Sequence, residues 1–254
     1  MASDPARRED AVNNEFYASL GERWYSAMDD PVALLRAEAA ARNPWIVQEL
    51  RQEFRTRRAR VLDIGCGAGF LSNELARAGF QVDGLDRSPE TLEVARRHDP
   101  TGTVRYDRGD AGLLPYPGGS FDAVCAMDFL EHVEDPARIV SEASRVLSPG
   151  GLFFFHTFNR NPLAWLFAAK GLEWFVRNTP RNMHVYRLFI RPEELRSMCA
   201  DSGLRTVRSL GLRPKLVSSA FLRLLLTGAP PPDFKFVIGG PRLIGYMGYA
   251  RKED

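Results

Sequence analysis

From Asn13 to about Leu50 the apolar positions recur at helical spacing: Phe16, Leu20 and Trp24, then Leu34 and Leu35, then Trp45, Ile46 and Leu50. Pro31 and Pro44 interrupt this stretch and predict two or three helices. Residues 1–12 carry no such pattern and read as a polar tail, and the Arg-rich stretch 51–60 closes the last helix. The period then changes. Arg60-Val61-Leu62-Asp63-Ile64, stopped by Gly65, is the short apolar run of a buried parallel strand. Phe70 to Ala78 returns to helical spacing, with Gly79 where helices commonly end. Phe80 to Asp86 alternates as a second strand, and Ser88-Pro89-Glu90 caps a helix that runs to about His98. Strands follow at Thr103–Arg108, Phe121–Ala126 and Leu152–Thr157, the last two separated by a helix that Asp135-Pro136 opens. This alternation predicts an α/β fold, a parallel sheet with helices on both faces. Residues 158–190 break the rhythm and read as an insertion. Arg191-Pro192-Glu193-Glu194-Leu195 starts another helix, and Leu204–Leu210 and Leu243–Ala250 are the expected final strands. Gly239-Gly240-Pro241 leaves an edge hairpin open as the alternative for the last one.

Composition narrows the picture. A length of 254 residues suits one large domain, or one domain with an insertion. With 44% hydrophobic and 26% charged residues the chain has the means to build a core. Lys plus Arg number 34 against 32 for Asp plus Glu, so a nucleic-acid partner is not expected. Cys66, Cys125 and Cys199 are odd in number and far apart, which fits a reducing compartment and a cytoplasmic protein. The N-terminal MASDPARREDAVNNEF lacks the apolar core of a secretory signal, and no apolar run reaches the ~18–20 residues of a membrane span.

The sharpest chemical signal is Asp63-Ile64-Gly65-Cys66-Gly67-Ala68-Gly69, between a predicted strand and a predicted helix. Glycines there let the backbone turn tightly and approach a ligand. Asp63 would repel a pyrophosphate but can accept hydrogen bonds from a cationic group, which argues against a dinucleotide oxidoreductase. Asp86 ends the second strand, where an acid can hold both hydroxyls of a ribose. Gly109-Asp110-Ala111 follows the third strand, where a carboxylate can accept from an adenine amine. Each acid alone is most simply a loop cap or a solvated charge. Three at the carboxyl ends of successive strands lie where open α/β sheets bind ligands.

With Phe121-Asp122 and Leu147-Ser148-Pro149-Gly150-Gly151, these elements resemble the class I methyltransferases that use S-adenosylmethionine, over about residues 60–157. The resemblance implies a Rossmann-like sheet of seven strands, the last antiparallel. It divides the chain into an N-terminal helical cap over 1–50 and a methyltransferase domain over 51–254, with a helical insertion at about 160–188. It implies cofactor contacts from Asp63, Gly65, Cys66, Gly67 and Gly69 to the amino-acid part, from Asp86 to ribose and from Asp110 to adenine, with Arg87 and Ala111 beside them. Arg42 and Met127 complete the implied set. Further elements are similar in order and spacing to the ubiquinone-pathway O-methyltransferases, which methylate a polyprenylated catechol or phenol. They are Arg42-Asn43-Pro44, Met127-Asp128-Phe129-Leu130-Glu131-His132-Val133, Phe158-Asn159-Arg160-Asn161 and the stretch Met183-His184 to Arg191-Pro192. Asp128 stands where that family usually has Glu, Val185 where it has an acid, and from about residue 212 little aligns.

Methyl transfer to a phenolic oxygen needs in-line positioning and gains from removal of the phenol's proton. His132, at the end of the fourth strand, and His184, in the insertion, are the expected bases, with Glu131 beside them. Asp128, Glu131 and His132 form an O, O, N set that a divalent metal ion would accept. A local helix cap is the plainer reading of Glu131 and His132. His156 reads as a wall residue, His98 as part of a helix end, and Cys66 as a small residue without a nucleophilic role. Residues 163–177 form an apolar helix with one polar stripe, Lys170, Glu173 and Arg177. It suits a lid over a lipophilic acceptor or a peripheral membrane contact through Trp165 and Trp174, and residues 216–226 offer a second apolar patch. Two other functions stay open: a small-molecule O-methyltransferase of a secondary pathway, and a cofactor-binding protein without turnover.

Overall fold

A computed structural model describes residues 12–55 and 58–253. The expected tail, except Val12, lies outside the described residues, as do Thr56 and Arg57. Among the described residues three helices come first: α1 (Glu15–Ser19), α2 (Arg23–Ser26) and α3 (Pro31–Glu53). Asp30 caps α3 by accepting from the Val32 amide at 3.0 Å, and Pro31 fills the first turn, where its missing N–H costs nothing. Pro44 does not end a helix as the sequence pattern suggested; it lies inside α3. Burial on both sides of it, at Glu38, Ala39, Arg42 and Asn43 and then at Ile46, Val47 and Leu50, outweighs the one lost backbone bond.

The alternating part follows as β1 (Arg60–Ile64), α4 (Phe70–Arg77), β2 (Gln81–Asp86), α5 (Pro89–Arg97), β3 (Arg105–Arg108), β4 (Phe121–Met127), α6 (Pro136–Val146) and β5 (Leu147–Phe158). The starts and stops obey local rules. Ser88 accepts from the Thr91 amide at 3.1 Å, Asp135 accepts from the Arg138 amide at 3.0 Å, and Gly79 leaves α4 with φ of +97°. The insertion holds α7 (Pro162–Ala164), a π-helical turn at Trp165–Lys170 and α8 (Gly171–Phe175). After it come α9 (Pro192–Asp201), β6 (Leu204–Pro214), α10 (Ser219–Thr227), β7 (Phe236–Ile238) and β8 (Gly245–Lys252).

The eight strands of the described residues join one sheet in the order β3-β2-β1-β4-β5-β8-β6-β7. The first five are parallel, and β8 runs antiparallel between β5 and β6. The last strand is therefore interior and not an edge hairpin. The strand beyond the expected seven is β7, three residues paired antiparallel with the end of β6. Successive residues of the central strands go to opposite faces. Val61, Ala123, Cys125 and Phe154 pack with Ile46 and Leu50 of α3 and Leu75 of α4. Leu62, Ile64, Val124 and Phe153 pack with Ile139 and Val140 of α6 and Leu195 of α9. A sheet buried on both faces leaves its carboxyl-end rim as the place for polar chemistry.

Candidate active site

Along that rim lies a cavity of about 640 Å³. One wall is the loop after β1. Gly65 turns there with φ of +64°, and a side chain would stand 2.2 Å from the Phe129 ring. The Gly65 amide donates to the Leu85 carbonyl oxygen at 2.8 Å, which ties the loop to β2. Asp63 is buried beneath the loop and accepts from Ser72 Oγ at 2.6 Å; burial pushes its carboxyl up to about 6. Asp86 accepts from the Gly67 amide through Oδ2 at 3.0 Å and from the Ser88 amide through Oδ1 at 2.9 Å. Each oxygen keeps a lone pair for a further donor. Asp110 is exposed, 3.5 Å from Arg87, and Ala111 is buried beside it. The cavity lining holds Arg42, Asp63, Gly65, Cys66, Gly67, Asp86, Arg87, Asp110, Ala111 and Met127. Gly69 does not line it. This glycine is the left-handed residue that opens α4, where a side chain would meet Tyr106 Oη at 2.4 Å. Burial also pushes the Cys66 thiol up, so it carries no thiolate.

Deeper in the cavity four charged groups meet, Asp128 half-buried and Glu38, Arg42 and His156 buried. Arg42 Nη1 donates to Asp128 Oδ2 at 2.6 Å and lies 3.8 Å from Glu38 Oε1. His156 Nδ1 bonds Asp128 Oδ1, and its Nε2 lies 3.1 Å from Glu38 Oε1, off the line a hydrogen bond requires. Burial alone would raise the Asp128 carboxyl, but the Arg42 guanidinium and His156 outweigh it and hold the group ionised. Burial pushes Glu38 up to about 7 despite His156 beside it. Asp128 sits at φ +52°, a conformation uncommon for a residue with a side chain. His132 and His184 also line the cavity, their ring centroids 5.3 Å apart. Burial pushes His132 down to about 3 and also lowers His184, so both imidazoles are neutral at neutral pH. His184 Nδ1 donates to the Ala168 carbonyl oxygen at 2.7 Å, which leaves Nε2 as the acceptor nitrogen.

Residues 62–155 match the family model described as a methyltransferase domain. A ubiquinone biosynthesis O-methyltransferase of Xanthomonas axonopodis pv. citri is 39% identical over 192 residues, 74% of this chain and 78% of that protein. One of Bordetella bronchiseptica is 35% identical over 224 residues, 87% of this chain and 91% of that protein. The chain belongs to this family. Among solved structures, the magnesium protoporphyrin IX methyltransferase of Synechocystis PCC 6803, with bound SAH, superposes with a TM-score of 0.65 at 17% identity and covers 98% of this chain and all of its own. A methyltransferase of Thermotoga maritima superposes with a TM-score of 0.59 at 18% identity, covering 94% of this chain and 98% of its own. At those identities the likeness is one of fold.

This O-methyltransferase uses S-adenosylmethionine. The rim fits the compound: Asp86 offers two open lone pairs, and the Gly65 cradle leaves no room for a side chain. The metal set read from the sequence does not assemble. Glu131 is fully buried and absent from the cavity wall, because the 3₁₀ turn Leu130–His132 points it inward. Burial and the Asp128 charge push its carboxyl up to about 8. Among the described residues, the group whose ligand atoms lie within 4.8 Å of one another is Glu38, Asp128 and His156. There the Arg42 guanidinium already supplies positive charge, so the methyltransferase holds an ion-pair cluster and not an open donor set. Arg42, read as a cofactor contact, lines the cavity and donates to Asp128. His98 caps the end of α5, its amide donating to the Val94 carbonyl oxygen at 3.1 Å, and its ring stacks on Tyr25 at 3.6 Å and reaches Glu22 at 2.9 Å, linking α5 to the N-terminal helices. Sequence reasoning missed Glu38 and gave His156 no charged partners. The available signal was the i, i+4 spacing of Glu38 and Arg42 in an alanine-rich stretch.

Proposed function

We propose that the enzyme methylates a phenolic hydroxyl of a lipophilic, polyprenylated catechol or phenol, as a step of ubiquinone biosynthesis. The observation that carries this reading is one continuous cavity with three kinds of wall: the acid-and-glycine rim, the neutral pair His132 and His184, and an apolar end lined by residues such as Leu172, Phe221 and Phe234. S-adenosylmethionine supplies a methyl on a cationic sulfur, displaced in line by the acceptor oxygen. The protein's part is to hold the acceptor oxygen on that line and to exclude water. His184 Nε2 takes the hydroxyl proton, its tautomer fixed by the bond to Ala168, and neighbouring His132 orients the ring. Asp128 raises the basicity of both imidazoles, against the burial that lowers it. A screen with methyl-labelled cofactor, prenylated catechols and simple phenols tests the reading; label on no phenol would end it.

The same reading includes contact with lipid. No helix among the described residues is long and apolar enough to cross a membrane. The insertion nonetheless exposes Trp165, Leu166, Trp174 and Phe175, and α10 exposes Leu222, Leu225 and Leu226. Such a patch suits the bilayer interface, from which a lipophilic acceptor would arrive. Flotation with anionic liposomes is expected for wild type and weaker for Trp165→Glu with Trp174→Glu; equal flotation counts against it.

A further inference from the structure

The segment from Leu212 to Phe236, where the sequence resemblance fades, builds the far end of the catalytic cavity. We infer that this end is a tunnel for the acceptor's hydrocarbon tail and that α10 sets the tail length the enzyme prefers. The inference rests on the acceptor reading above and adds where the tail goes and which residues grade it.

Three separate stretches of chain meet there. Leu34 comes from α3, Val176 from the end of the insertion, and Leu224 and Phe234 from α10 and the turn after it; these four belong to one buried apolar cluster. Phe221 and Phe236 pack against the cluster, and all six line the same cavity as Asp128 and His184. The charged lining residues, Glu38, Arg42, Asp63, Asp86, Arg87, Asp110, Asp128 and His156, come from α3, β5 or the strand-end rim, and none comes from α10 or the insertion. A cavity walled by hydrocarbon gains nothing from water and takes an apolar chain. It also has an opening. Leu166 (41% exposed), Phe175 (47%) and Leu225 (39%) line the cavity while facing solvent, which puts the mouth between the insertion and α10.

The two flanks of that mouth are fastened together. The Arg177 amide donates to the Gly228 carbonyl oxygen at 2.8 Å. Gly228 closes α10 in the left-handed conformation, and a side chain there would stand 2.9 Å from Arg177 Cγ. The Lys215 amide donates to the Lys235 carbonyl oxygen at 2.9 Å and closes the base of the loop that carries α10. The width of the tunnel is thus fixed by packing between the elements. A bulkier side chain on the inner face of α10 shortens it, and a smaller one at Phe234 lengthens it.

The test titrates catechol, a monoprenyl catechol and a triprenyl catechol into the SAH-loaded protein by calorimetry and measures kcat/KM for each. Wild type is expected to favour the prenylated compounds, since each methylene taken from water is worth about fourfold. Leu224→Trp is expected to lower triprenyl-catechol affinity by roughly tenfold or more, and to leave catechol and SAH binding unchanged. Phe234→Ala is expected to shift preference toward the longer tail, and it serves if the tryptophan variant does not fold. Equal affinity of wild type for all three compounds overturns the tunnel, as does an equal loss on all three in both variants. Failure of wild type to bind any catechol overturns the acceptor reading itself, and the tunnel with it.

Discussion

Asp63 and Asp86 differ in what surrounds them, and so in what they do. Asp86 is met by the Gly67 and Ser88 backbone amides, whereas Asp63 accepts from the Ser72 hydroxyl and is buried with its carboxyl raised to about 6. A raised carboxyl makes the empty protein lose stability as pH climbs from the unfolded value, ~3.8, through about 6, by about 3 kcal/mol at most. The ammonium group of a bound S-adenosyl compound favours the ionised carboxylate, so ligand affinity changes the opposite way. SAH affinity is expected to weaken as pH falls below about 6, and Asp63→Asn is expected to remove most of that slope; calorimetry across pH 5 to 8 decides it. At the acceptor end, His184→Asn is expected to lower kcat by about 10²–10⁴-fold with SAH affinity unchanged, measured by single-turnover kinetics. Normal turnover would take the proton away from His184. The rim acids were legible because a loop glycine or a strand end fixes each one locally. Glu38 and His156 lie 118 positions apart and meet only because α3 crosses the end of β5.

At the scale of elements, helix starts were readable wherever a cap or a first-turn proline marked them, as at Ser88, Asp135 and Pro192. The elements that escaped owe their form to distant packing. Pro44 stays helical because both of its neighbouring turns are buried, and β7 exists only as a partner for the end of β6. The insertion was legible as apolar and helical but not in its path. It widens to a π turn at Trp165–Lys170 and stops at Phe175, so Arg177 falls outside the stripe with Lys170 and Glu173. Gly171 permits that turn: a side chain there would stand 2.7 Å from the Leu166 carbonyl oxygen. Gly171→Ala is therefore expected to shift Leu166 and Phe167, both on the cavity wall, and to raise the acceptor KM while SAH affinity holds. An unchanged KM would mean that the turn does not shape the acceptor site.

Over the whole molecule, the charged cluster joins what the sequence divides. Glu38 and Arg42 belong to the N-terminal helices, Asp128 follows β4 and His156 lies in β5. Two cations and two acids in a buried place hold together only as a set, because removing one leaves its partner charged and without compensation. Arg42→Met leaves Asp128 with His156 alone and is expected to cost about 3–5 kcal/mol. For a chain of this size that is a fall of roughly 6–20 °C in Tm. Asp128→Asn in the same chain removes the orphaned carboxylate, so the double variant is expected to be more stable than Arg42→Met alone. Thermal melts of the four species in the cycle give the coupling directly. Additive losses would show that Arg42 contributes packing and not charge, and the cluster would then be no more than four neighbours. A coupling of the expected size would show that cap and sheet are locked by charge at the floor of the acceptor cavity. Rearrangement of the N-terminal helices would then disturb this end of the cavity together with the glycine loop, which Tyr25 Oη already touches by donating to the Ala68 carbonyl oxygen at 2.8 Å.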